Sequence, residues 1–159
     1  MATKVNPIPE GYHSIVTFVT VKNADKAIEF YKNAFGAKEI GRIKADGNKI
    51  MYCELQIGDS RILLTDEFPE MGNKSPETLG GSPVGFCLYV ENADKVYKRA
   101  LELGASIDRN MEMKDQFYGD RSGTVKDPFG HHWTISTHIE DVPFDELQKR
   151  SDEMMKQHA

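Results

Sequence analysis

The chain is short of cysteine, has no basic run and has no long apolar segment, and each shortage removes a class of function. Its two cysteines, Cys53 and Cys87, form no CxxC pair. That excludes a disulfide scaffold and a clustered-thiolate zinc site as organising devices. Both lie in apolar runs and are expected to be free, buried thiols. Lysine and arginine number 20 against 25 acidic residues, for a net charge of −5. Little is available to neutralise a phosphate backbone, so no nucleic-acid partner is expected. The opening "MATKVNPIPEGYH" has no apolar stretch for a signal peptide or membrane anchor, so a cytoplasmic protein with no membrane partner is expected.

What is there is ordinary for a folded chain. The 159 residues, 39% apolar and 28% charged, suffice for one domain or two small ones with a real core. The informative feature is a repeat. "VKNADKAIEFY" starts at Val21 and "VENADKVYKRA" at Val90, so Asn23 and Asn92 stand 69 residues apart (92 minus 23). Self-similarity at that period points to two copies of one structural unit.

The residues around each copy follow one order. "SIVTFVTV" (14–21) and "VGFCLYV" (84–90) are rich in aromatic and β-branched residues and read as strands. Ala24, Ala27, Ile28, Tyr31 and Ala34, then Ala93, Val96, Tyr97, Ala100 and Leu101, fall at helical spacing and give each helix one apolar face. Asn23 and Asn92 suit the N-cap, and Asp25 and Asp94 place negative charge near the positive helix end. Gly36 and Gly104 suit the left-handed position after a helix.

Three strands follow each helix. In the first copy they are "KEIGRIK", "KIMYCELQI" and "RILLTD", with turns at "ADGN" and "GDS". In the second they are "SIDRNMEM", "SGTVKD" and "HHWTIS", with "KDQFYGDR" as a longer loop and "DPFG" as the last turn. Asp127 is expected to cap that turn, and His131 to support it. The fold class is therefore α+β, with tandem βαβββ modules at about 12–66 and 83–138. Residues 67–82, rich in Gly, Pro and Ser, read as a linker or mobile loop, and a polar helical tail runs over about 143–158.

This tandem pattern, with "AIEFYKNAFGA", "IGDSRILLTDE" and "YGDRSGTVKDPFGHHWTISTHIEDV", resembles the vicinal oxygen chelate superfamily, which includes glyoxalases, bleomycin-resistance proteins and extradiol dioxygenases. The last three segments look like its PhnB-like branch. The resemblance covers about 12–142 and implies a curved mixed sheet around a ligand cleft, two metal ligands from each module in metal-dependent members, and a homodimer. It leaves open whether modules pair within a chain or between chains. Carried onto this sequence, the metal positions are Val16, Leu63, Gly85 and Thr134. None is His, Asp or Glu, so no metal site is expected there.

Strand alternation sorts the remaining residues relative to the cleft that the resemblance implies. Ser14, Phe18 and Thr20 share the side of Val16, and Cys87 and Tyr89 that of Gly85; Tyr52, Glu54 and Gln56 turn cleftward, leaving Met51, Cys53, Leu55 and Ile57 to face the helix. The repeat offset makes Arg121 the counterpart of Tyr52, although an Asp120–Arg121 neighbourhood also serves to hold its own loop. The expected ligand-binding set is Phe18, Tyr52, Glu54, Tyr89, Arg121, His132 and Thr134. Each aromatic reads equally as core or interface packing. Glu54 is the best catalytic candidate, with a structural pair to Arg121 or a lysine as the plainer reading. Of the histidines, His13 points off the cleft, and His138 and His158 read as surface residues. An unusual site of His132, Glu54 and Asp66 is the route by which Zn, Ni, Fe or Mn would enter. Trp133 belongs to the core.

Three functions compete on these residues. The favoured one is a metal-independent binder of a small organic molecule, and the acidic balance suits a cationic one. The second is a metal-dependent or acid–base lyase, isomerase or dioxygenase. The third is a purely structural or interaction protein.

Overall fold

A computed structural model describes residues 5–157, in two compact units, residues up to Ser82 and from Pro83 onward. His158, assigned to the tail, lies outside the described residues.

The first unit is built as β1 (Thr17–Val21), α1 (Ala24–Phe35), β2 (Lys38–Lys44), β3 (Ile50–Ile57) and β4 (Ser60–Asp66). The sheet order is β1-β4-β3-β2, with β1 parallel to β4 and the other pairs antiparallel. Asn23 caps α1 by accepting the N–H of Lys26 at 3.1 Å, and Gly36 ends it at φ 68°. Ala27, Ile28 and Tyr31 from the helix bury with Val19, Cys53 and Leu64 from the sheet. Burying the aliphatic ones, Ile28, Val19 and Leu64, contributes about 1.5–3 kcal/mol each, which fixes one face of the sheet against α1.

One expectation is corrected in this unit. Met51 does not join the helix-facing row: the β2–β3 register slips between Ile43 and Lys44, so Ile50 is buried and Met51 is half exposed. The segment expected as a linker or mobile loop precedes the boundary between the units at Ser82, and it is hydrogen-bonded. It contains a short helix, α2 (Pro76–Leu79), and Glu67 accepts from the N–H and hydroxyl of Ser75 and from the hydroxyl of Thr78. These contacts hold the Glu67 carboxyl down at about 2, the Thr78 bond being the largest cause and the Ser75 bonds next.

The second unit repeats the plan with β5 (Gly85–Tyr89), α3 (Ala93–Glu102), β6 (Ser106–Ile107), β7 (Lys114–Asp115), β8 (Asp120–Lys126) and β9 (His132–His138). Its order is β5-β9-β8-β6, with β7 also on β8 and with β5 parallel to β9. Asn92 caps α3 through the N–H of Lys95 at 2.9 Å. "SIDRNMEM" is not a continuous strand. Arg109 and Asn110 both adopt φ 54°, which breaks extended backbone and leaves two-residue strands on either side.

Trp133 is buried, and its indole N–H donates to Asp127, which also accepts the N–H groups of Phe129 and His131 at the "DPFG" turn. The tail helix α4 (Phe144–Gln157) buries no residue; Arg150 ties it to the unit through Glu140 and the carbonyl of Phe117. No helix among the described residues is long and apolar enough to cross a membrane.

Candidate functional site

The helix-facing rows of both sheets are committed to packing, so the chemistry lies on the opposite rows. In the first unit, Phe18 pairs in register with Leu63, and Leu63 with Glu54. Phe18 is 50% exposed. Glu54 pairs with Arg61 on the neighbouring strand, Nε to Oε1 3.4 Å, rather than with Arg121 or a lysine. The Nε and Nη1 of Arg61 are closed to solvent and have no hydrogen-bond acceptor. An unsatisfied buried donor costs about 1–3 kcal/mol, so Arg61 is the strained group of this face. Beside it, the hydroxyls of Tyr12 and Tyr52 meet at 3.2 Å. The bond to Tyr52, then burial, then Glu54 push the Tyr12 phenol above its ordinary range.

The second unit carries a denser polar cluster. Tyr89 donates its hydroxyl to Asp120 Oδ2 at 2.7 Å, and His138 Nδ1 lies 2.8 Å from Asp120 Oδ1. The other ring nitrogen of His138 is 2.9 Å from Asp141. Asp120 is buried, whereas Tyr89 is 60% exposed. The bond to Asp120, followed by burial, pushes the Tyr89 phenol up to about 12, and Asp120 and then Asp141 raise His138. Farther along, Thr124 and Thr134 share a hydroxyl contact of 3.0 Å, and His132 Nδ1 lies 2.8 Å from Asp108 Oδ2. Nearby, Tyr118 and Ser122 meet at 2.8 Å.

Several expected site residues stand elsewhere. Arg121 faces the helix, where it donates to Asp94 on α3 and to Asp115 on β7. The 69-residue offset fails in β8, where Val125 is the buried helix-facing residue and Arg121 shares its parity. Asp66 also turns helixward: its carboxylate accepts the N–H of Ala24 at 2.8 Å and of Ile50 at 2.7 Å, so it is a structural cap off the Glu54 face. Cys87 is exposed, not buried, because it shares the row of Tyr89. His138 is exposed, as expected of a surface residue, and also holds Asp120. Arg61, Tyr12, Asp108 and Asp120 were not singled out as site residues. Parity reaches two of them, as Arg61 lies two residues from Leu63 and Asp120 four from Thr124. Tyr12 and Asp108 precede or interrupt strands, where parity says nothing.

The four positions carried over for a metal do not suit one. Val16, Leu63 and Gly85 offer no side-chain donor, and the Thr134 hydroxyl is engaged with Thr124. Among the described residues, no three His, Cys, Asp or Glu side chains are grouped to hold an ion.

Comparisons agree with this architecture. An uncharacterized protein of Mycobacterium tuberculosis (strain ATCC 25618 / H37Rv) is 39% identical over 151 residues, covering 93% of this chain and 84% of the relative. A gene product from Arabidopsis thaliana of known structure is 26% identical, with a TM-score of 0.61 over 80% of this chain and 98% of that one. The protein PA1353 from Pseudomonas aeruginosa shares the fold at 20% identity and a TM-score of 0.66, covering 80% and 99%. Residues 12–135 match the family model described as Glyoxalase/Bleomycin resistance protein/Dioxygenase superfamily, and the chain belongs to that superfamily.

Proposed function

We propose that the protein is a PhnB-like member of this superfamily that binds a small organic molecule on the rows facing away from its helices, without the usual divalent metal. The observation that carries the reading is the donor set. Where metal-dependent members place ligands, this chain has Val16, Leu63, Gly85 and Thr134. The same rows keep what a ligand surface needs: exposed aromatics in Phe18 and Tyr89, and hydrogen-bonding groups in Glu54, Tyr52, His132 and Thr134. The reading includes a homodimer, as the family resemblance implies, and a cytoplasmic location, which suits two free cysteines.

Calorimetric titration with a panel of cationic glycopeptides and aromatic drugs tests the reading. Saturable binding by metal-free protein is expected; silence across the panel at high micromolar concentration, with no other small organic molecule bound saturably, overturns it. Stoichiometric metal in purified protein, or a melting-temperature rise with Ni²⁺, Zn²⁺, Mn²⁺ or Fe²⁺, overturns the metal-free part.

One observation favours acid–base turnover as a second reading. Tyr89, Asp120 and His138 form a proton-bearing chain with an exposed phenol at one end. Turnover of a panel compound that is lost in Asp120→Asn supports it, and binding without turnover excludes it for that compound.

A further inference from the structure

We propose that Arg61, lying under a strap formed by Gly11 and Tyr12, is a binding site for the carboxylate of a small organic acid. This rests on the reading of the Tyr52–Glu54 row as a ligand surface and specifies the chemistry of one part of it.

The guanidinium is the argument. Its side chain is only 15% exposed, and its ion-pair partner, Glu54, approaches Nε at 3.4 Å. That distance balances charge but is too long for a well-formed charge-assisted hydrogen bond. Nε and Nη1 are closed to solvent with no acceptor. Arginine presents its donors in a planar fork that matches a carboxylate with two parallel hydrogen bonds, and here the fork is held in place and unanswered. Glu54 occupies the Nε side, which leaves the Nη1–Nη2 edge for an incoming anion.

What covers the Nη2 corner of that edge, and Nε beside it, is light. Gly11 stands at φ 78°, and a Cβ built there would lie 3.0 Å from Nη2 and 3.1 Å from Nε. The backbone therefore rests on the guanidinium only because the residue is glycine. The strap is turned by the Tyr12 N–H donating to the carbonyl of Pro9 at 3.1 Å and is tied to the sheet by the Tyr12–Tyr52 hydroxyl contact. Residues 5–11 are exposed, so little packing opposes its lifting. Lifting it carries Tyr12 away and uncovers the fork on the face that also holds the Tyr52 phenol, which suits an acid with an aromatic or hydroxylated body.

Proton–nitrogen correlation spectra of the arginine Nε groups, recorded while sodium benzoate, sodium acetate or inorganic phosphate is added at constant ionic strength, provide the test. Benzoate is expected to shift the Arg61 signal saturably, acetate more weakly, and phosphate only at concentrations where any salt acts. Arg61→Gln should lose about ten-fold or more in benzoate affinity. Gly11→Ala should gain several-fold, because the added methyl pushes the strap from the guanidinium; this variant and the wild-type spectrum need no loss of Arg61, so they decide the matter even if Arg61→Gln folds poorly. An unmoved Arg61 signal, equal competition by phosphate, or unchanged affinity in Gly11→Ala overturns the assignment. A drug-panel compound bound equally by wild type and Arg61→Gln would sink this inference alone, whereas saturable benzoate binding with a silent panel would sink only the choice of cationic and drug-like ligands.

Discussion

Asp120 and His138 are register partners at the open end of the β8–β9 ladder, and the carboxylate Oδ1 stands 2.8 Å from Nδ1 of the ring. Tyr89 faces the same carboxylate, and Asp141 faces the other ring nitrogen, so the imidazole is set between two acids. These contacts raise the His138 pKa above its usual value of about 6.5, with Asp120 the first cause and Asp141 the second. A group whose folded pKa is raised stabilises the fold fully below its unfolded pKa, and loses that contribution as pH rises through the folded value. The melting temperature should therefore decline above about pH 6.5 by an amount that His138→Asn removes. A ring-proton titration by NMR gives the midpoint directly; a midpoint at or below the ordinary histidine value would contradict the pairing.

Asp66 and Thr137 do the same job in the two units by different chemistry. Asp66 accepts the N–H of Ala24, and Thr137 accepts that of Ala93 at 2.9 Å. Each ties the end of its last strand to the first residue of its helix. Asp66 is buried and accepts a second bond from Ile50, so Asp66→Ala should cost about 3 kcal/mol, against about 1 kcal/mol for Thr137→Val. Urea unfolding of the two variants measures the difference. Equal losses would mean that Asp66 carries no more than an ordinary neutral cap.

The helices and their caps were legible because their signals are local: Asn23 and Asn92 sit where a side-chain oxygen must meet an orphan N–H three residues on. Parity placed Phe18, Tyr52, Glu54, Tyr89, His132 and Thr134 on the rows away from the helices, because alternation survives wherever a strand is regular. It misplaced Met51 at a register slip and Arg121 where the offset between the two units changes. Asp66 departs from its expected place for another reason. Its parity is that of Leu64, but an acid on a helix-facing row makes sense only once the unpaired N–H of Ala24 is seen beside it. Tertiary partners of this kind, Asp108 with His132 included, leave no periodic trace.

The two thiols should differ sharply in reactivity. Cys53 is fully buried in the sheet–helix core, and burial is the first cause pushing its thiol up to about 11. Cys87 is exposed on β5. With a chromogenic disulfide at neutral pH, one thiol should react at once and the second only as the protein unfolds. Two fast thiols would show that the first unit opens readily around Cys53.

The strongest discrimination between site and scaffold comes from Tyr89 and Arg121, both polar, partly exposed and expected at the ligand surface. The Tyr89 phenol stands on the row of Thr134 and is anchored by buried Asp120, so its position is fixed while its ring remains accessible. Arg121 points to the helix side and is occupied by two aspartates. If the rows away from the helices bind the ligand, Tyr89→Phe should weaken a panel compound about ten-fold, through loss of the hydroxyl and of the hold on the ring. Arg121→Gln should leave that affinity unchanged. The reverse ranking, read by calorimetry on the same compound, would move the binding surface to the helix side and undo the assignment of Tyr89, Thr134 and His132 together.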